Sequence, residues 1–149
     1  MQKDIKSIIR NLKEMHGKPR CELIFSNPIE LVVATVLSAQ ATDQKVNEVT
    51  RSLFTKYRTW KDYLNVPVGE LEEDIRQTGF YRNKAKAIKN IALEIEGRFK
   101  GQVPRDVDSF VTVKGIGRKS ANLIVGLAFG KPAIIVDTHV IRLAQRIGF

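Results

Sequence analysis

The chain has 149 residues, with 25 lysines and arginines against 16 aspartates and glutamates, for a formal net charge of +9 at pH 7. That length supports one ordinary globular domain with a sizeable core, or one domain plus a fragment, and the charge suits a polyanionic partner without identifying one. A single cysteine, Cys21, rules out an internal disulfide and fits a reducing compartment.

The start, Met1 to Lys6, has no continuous apolar h-region, and no apolar run approaches the ~20 residues needed to span a bilayer. The expected location is therefore the cytoplasm, with no membrane partner; a monomeric state is also expected. Ile5, Ile8, Ile9, Leu12 and Met15 follow the spacing of one helix face, and Gly17 with Pro19 ends that segment. Cys21 is expected to be a packing residue. Asn27, Pro28 and Glu30 read as an N-cap, a first-turn proline and a capping-box acid, and they open a nearly all-apolar, central helix to Leu37.

A second amphipathic face follows at Val46, Val49, Leu53 and Phe54, with Asp43 as its candidate cap. Next come a short piece from Trp60 to Leu64, with Trp60 in the core, and an apolar face at Val68, Leu71 and Ile75 that stops at Gly79. The longest helix buries Ala85, Ile88, Ile91, Ala92, Ile95 and Phe99, while Lys84, Lys86, Lys89 and Arg98 are expected to carry charge on its other faces. After a break from Gly101 to Pro104, a short helix around Ser109 to Val113 precedes a glycine hairpin. A helix from Arg118 to Ala128, a turn at Gly130 to Pro132 and a last helix from Asp137 complete the chain. Ala133 to Val136 is β-prone, but a lone strand has nothing to pair with and is expected to be an extended linker. The fold class is all-α, a multi-helix domain.

The densest chemistry lies in Lys114-Gly115-Ile116-Gly117-Arg118-Lys119-Ser120-Ala121 and in Val136-Asp137-Thr138-His139. Two glycines one residue apart allow a sharp turn, and the helix that follows presents unpaired N–H groups and a positive dipole that suit a phosphate. Together with Leu37 to Asp43 and Thr78 to Ala85, these residues resemble the helix-hairpin-helix DNA glycosylases, most closely the endonuclease III family, over about Asn27 to Arg146. Family hairpins commonly carry proline where Lys114 stands.

The resemblance implies a hairpin domain over residues 20–132 and a partial second helical domain from residues 1–19 and 133–149. It also implies a base excision repair glycosylase with AP lyase activity, acting on oxidised pyrimidines in duplex DNA. In that reading Lys119 is the nucleophile. A free lysine amine attacking sugar C1′ forms a Schiff base that permits β-elimination of the 3′ phosphate. Asp137 is the catalytic acid/base partner, and it is also a routine helix N-cap. Lys114, Gly115, Ile116, Gly117 and Arg118 dock the DNA backbone, which positions a duplex without reading its sequence.

A base extruded for chemistry leaves a gap in the stack. By resemblance, Gln40 fills that gap and Phe80 wedges the opposite strand. Otherwise Gln40 is a helix-end polar group, and Phe80 the apolar contact that follows a glycine helix stop. Family members also carry four cysteines for a 4Fe–4S cluster, which Cys21 alone cannot bind, so those ligands are expected in sequence beyond Phe149. His16 and His139 have no partners at metal-ligand spacing. Two alternatives stand beside the bifunctional enzyme: a non-catalytic helix-hairpin-helix DNA-binding domain, and a monofunctional mismatch glycosylase, which Lys119 argues against.

Overall fold

The computed structural model describes residues 4–148 and is helical, with no strand among those residues. The domain ends expected at Met1 to Lys3 and at Phe149 lie outside the described residues. Two compact units emerge: a central one from Leu23 to Ile135, and a terminal one from the residues up to Glu22 and from Val136 onward.

In the central unit, α2 (Pro28–Leu37) is the axis, with Leu31, Val32, Val33, Ala34 and Leu37 fully buried. Asn27 caps it by accepting the Glu30 N–H at 3.0 Å, and Pro28 takes the first turn, where no N–H is needed. The Glu30 carboxylate reaches the N–H of Ser26 rather than that of Asn27, so it secures the residue before the cap.

Helix α3 (Asp43–Lys56) buries Val46, Val49, Thr50 and Leu53. Its cap is Thr42, whose hydroxyl accepts the Lys45 N–H, which places Asp43 in the first turn instead of the cap position expected for it. Helix α4 (Trp60–Asn65) starts with a full capping box from Thr59 and Asp62, and Trp60 and Tyr63 lie in the core. Helix α5 (Val68–Asp74) and one 3₁₀ turn (Arg76–Thr78) lead to Gly79. Val68 is exposed, because the face of this short helix is set by Leu71 and Ile75.

Helix α6 (Tyr81–Phe99) packs against α2, α4 and α5 through Ala85, Ile88, Ile91, Ala92 and Ile95. Two of its expected surface lysines are inward groups. Lys84 is buried with its ammonium on the carbonyls of Leu37 and Thr78, and the Lys89 ammonium sits on those of Tyr63, Leu64 and Val66. Each ammonium meets carbonyls left open where a helix ends.

Helix α7 (Val107–Phe110) begins earlier than its apolar pattern suggests, because Asp106 caps it through the Ser109 N–H at 2.7 Å. Helix α8 (Arg118–Phe129) then packs on α2 and α7 through Ala121, Ile124 and Val125. Residues 131–137 are irregular, as an unpaired extended linker should be.

The terminal unit holds α1 (Ile5–His16) and α9 (Thr138–Ile147). Both are amphipathic, capped by Asp4 and Asp137, and stopped by Gly17 and Gly148 at positive φ. Neither buries a residue fully, and Ile5, Leu12, Met15, Ile141 and Leu143 are about half exposed or more. Cys21 is also exposed, against the expectation that it packs, because the segment from Gly17 to Glu22 forms no helix that would turn it inward. No described helix is long and apolar enough to cross a membrane.

Candidate nucleic-acid interface

The hairpin joins α7 to α8, and its glycines have different jobs. Gly115 adopts φ +102°, a conformation L side chains rarely take, over the Ile91 side chain of α6. Gly117 is extended, at φ −83° and ψ 167°, so the turn itself does not require glycine there, contrary to the sequence expectation. A Cβ at Gly117 would meet nothing within 4 Å.

Ile116 is 5 % exposed and anchors the hairpin in the core beside Val113. Its N–H donates to the Val113 carbonyl at 3.0 Å, which closes the first limb of the turn. The first limb is braced from α6. Glu94 accepts the Lys114 N–H at 3.2 Å, and Arg98 bonds Glu94 at 2.7 Å and the Thr112 hydroxyl at 2.9 Å.

What remains open is the start of α8. Gly117 supplies no side-chain cap, so the N–H groups of its first turn stay outward in the field of the helix dipole. Lys114, Arg118 and Lys119 around it are exposed. Arg118 also lies 3.4 Å from the Asp108 carboxylate, an exposed pair worth little in water. Among described helices of ten residues or more, only α6 and α8 begin without a side-chain cap.

The first turns of both uncapped helices line one cavity of about 330 Å³. Phe80, Asn83 and Lys84 come from the α6 end, and Gly115, Ile116 and Ser120 from the hairpin and α8. Thr35, Val36, Ala39 and Gln40 close it from α2 and the turn that follows. Gln40, Phe80 and the hairpin are thus brought together from three separate parts of the chain.

Gln40 and Phe80 share an unusual backbone. Both sit at positive φ, +52° and +47°, which for non-glycine residues carries a conformational cost of about 1–3 kcal/mol. Phe80 is 62 % exposed, so it is not the buried contact of a helix stop. Neither backbone angle left any mark in the sequence.

Lys119 lies on the first turn of α8 in the central unit, exposed to solvent. Asp137 belongs to the terminal unit, where its carboxylate accepts the Val140 N–H at 2.8 Å. The cap fixes that carboxylate in place. No group of three metal-ligating side chains occurs among the described residues, and Cys21 is the chain's one cysteine. These residues do not fit a 4Fe–4S cluster, which needs four thiolates.

A helical domain with a braced hairpin, an uncapped helix start and a bordering cavity defines a helix-hairpin-helix protein. Residues 33–149 match the family model of the HhH-GPD superfamily base excision DNA repair proteins. Endonuclease III of Bacillus subtilis is 51 % identical over 146 residues, which cover 98 % of this chain and 67 % of that protein. Two solved structures, a non-covalent endonuclease III–DNA complex and a trapped endonuclease III–DNA covalent intermediate, each superpose with a TM-score of 0.90 at 49 % identity. Each superposition covers 97 % of this chain, with 67 % and 68 % of the respective solved chains. The chain belongs to the HhH-GPD superfamily, on its endonuclease III side, and spans about two thirds of the length of these relatives.

Proposed function

We propose that this chain carries the DNA-docking and lyase centre of a base excision repair glycosylase that removes damaged, oxidised pyrimidines from duplex DNA. One observation carries the reading: an exposed lysine, Lys119, on the first turn of a helix whose uncapped start borders a cavity rimmed by Gln40 and Phe80. The N–H groups at the start of α8, with Lys114 and Arg118, hold backbone phosphates. Gln40 enters the space left by an extruded nucleotide, and Phe80 separates the partner strand.

The Lys119 amine attacks C1′, and the base departs with a proton. The C1′–O4′ bond then opens as O4′ takes a proton, the resulting iminium loses a C2′ proton, and the 3′ phosphate leaves by β-elimination. Asp137 moves protons during these steps and offsets positive charge at C1′. A 4Fe–4S cluster like that of the family would need four thiolates, and this chain has Cys21 alone.

The test is borohydride trapping on a duplex containing one abasic site. The expected result is a covalent adduct that disappears in Lys119→Gln while duplex binding persists. A second reading is a DNA-docking domain without chemistry of its own. Binding without any Lys119-dependent adduct would establish that reading instead.

A further inference from the structure

Lys84 is only 5 % exposed, and no carboxylate pairs with it among the described residues. Burying an ammonium is expensive, and desolvation pulls the Lys84 amine below the ordinary lysine range. The partners that offset this are two backbone carbonyls from different segments, Leu37 at 2.8 Å and Thr78 at 2.7 Å. Leu37 ends α2 and Thr78 ends the 3₁₀ turn, so both oxygens are helix-end acceptors carrying partial negative charge.

The chain beyond each carbonyl leads within three residues to a strained, outward residue. Gln40 follows Leu37, and Phe80 follows Thr78 through Gly79, itself at φ +72°. Strained turns persist only where the surroundings over-determine them. A compact three-donor cation can hold two carbonyl oxygens at once, and Lys84 also lines the cavity those turns rim.

We propose that Lys84 is a positioning residue for lesion engagement, one buried ammonium that locks the Gln40 and Phe80 turns at a fixed separation so that both enter the DNA stack together. This rests on the reading above that those two side chains enter the stack. Lys84 touches no DNA in this account, and its effect passes entirely through the two turns.

The experiment uses the full chain and two duplexes of one sequence, undamaged or carrying a tetrahydrofuran abasic analogue, with 2-aminopurine opposite the analogue. Lys84→Met is expected to lower the affinity ratio for damaged over undamaged duplex by about tenfold, the effect of freeing two buried acceptors. Undamaged-duplex affinity, set by hairpin and phosphate, should stay within about twofold. The 2-aminopurine fluorescence rise on binding should be lost. In a Gln40→Ala/Phe80→Ala background the same substitution should add nothing, because the side chains it positions are gone.

A folded Lys84→Met protein with an unchanged ratio, or with equal loss on both duplexes, would overturn the proposal. If Lys84→Met fails to fold, Lys84→Arg takes its place: it keeps the charge but spreads the donors over a larger fork, and an unaltered ratio there is equally fatal. Should Gln40→Ala/Phe80→Ala itself keep the wild-type ratio, the stack-entry reading fails first, and the role of Lys84 falls with it.

Discussion

The hairpin glycines separate stability from binding, and a pair of alanine substitutions measures each. Gly115 sits at φ +102°, where a Cβ would lie 3.6 Å from Ile91, an ordinary contact. The cost of Gly115→Ala is therefore conformational rather than steric, about 1–3 kcal/mol of folding free energy. Gly117 is extended, at φ −83°, with open space around a new Cβ. Gly117→Ala should leave the fold intact or stabilise it by about 0.4–1 kcal/mol through the unfolded chain.

That same methyl would stand where the proposed phosphate contact is made, at the start of α8. Losing one charge-assisted hydrogen bond is worth about 1.5–3 kcal/mol, or roughly 10–100-fold in duplex affinity. Urea denaturation followed by circular dichroism reads the first quantity, and fluorescence anisotropy on a labelled duplex reads the second. A Gly117→Ala protein that binds duplex like the unaltered chain, or that loses stability, would refute the assignment of this hairpin as the phosphate seat.

Two further outcomes follow from the caps. Asparagine keeps an oxygen that can accept the Val140 N–H, so Asp137→Asn should cost only a few tenths of a kcal/mol of stability while single-turnover cleavage at an abasic site falls by about 10²-fold or more. Parallel losses would reduce Asp137 to a cap. Backbone N–H groups of Arg58 and Thr59 hold the Asp62 carboxyl below its ordinary value of 3.8, and that of Ser109 does the same for Asp106. Carboxyls lowered on folding stabilise fully above their unfolded pKa and lose that contribution as pH falls through the lower folded value. Melting temperature should therefore stay level down to about pH 5 and drop below about pH 4. Asp62→Ala should soften that drop and cost about 1 kcal/mol at neutral pH.

The helices and most of their caps were legible because their signals are local. Asn27-Pro28 and Asp137 announce helix starts through short-range hydrogen bonds, and the burial of α2 and α6 follows from apolar spacing. Adjacent candidates blurred the detail: Thr42 and Asp43 both suit a cap, and only backbone angles decide between them. The hairpin was legible as a motif, but the division of labour within it was not. Whether Gly117 serves the turn or the approach of a ligand depends on φ, and whether Ile116 faces outward depends on Ile91 and Val113 beneath it. Lys84 was misread because its partners are main-chain carbonyls from distant segments, which leave no residue signature. Cys21 was misread for the opposite reason, since a residue type that usually packs lies here on an irregular segment.

The proposed chemistry depends on Lys119 as the attacking amine. Peptide mapping by mass spectrometry of the adduct trapped with borohydride on an abasic-site duplex tests it without any substitution. The expected result is sugar attached at Lys119, on the first turn of α8. Attachment at Lys114, Lys131 or scattered surface lysines, with Lys119 unmodified, would contradict it.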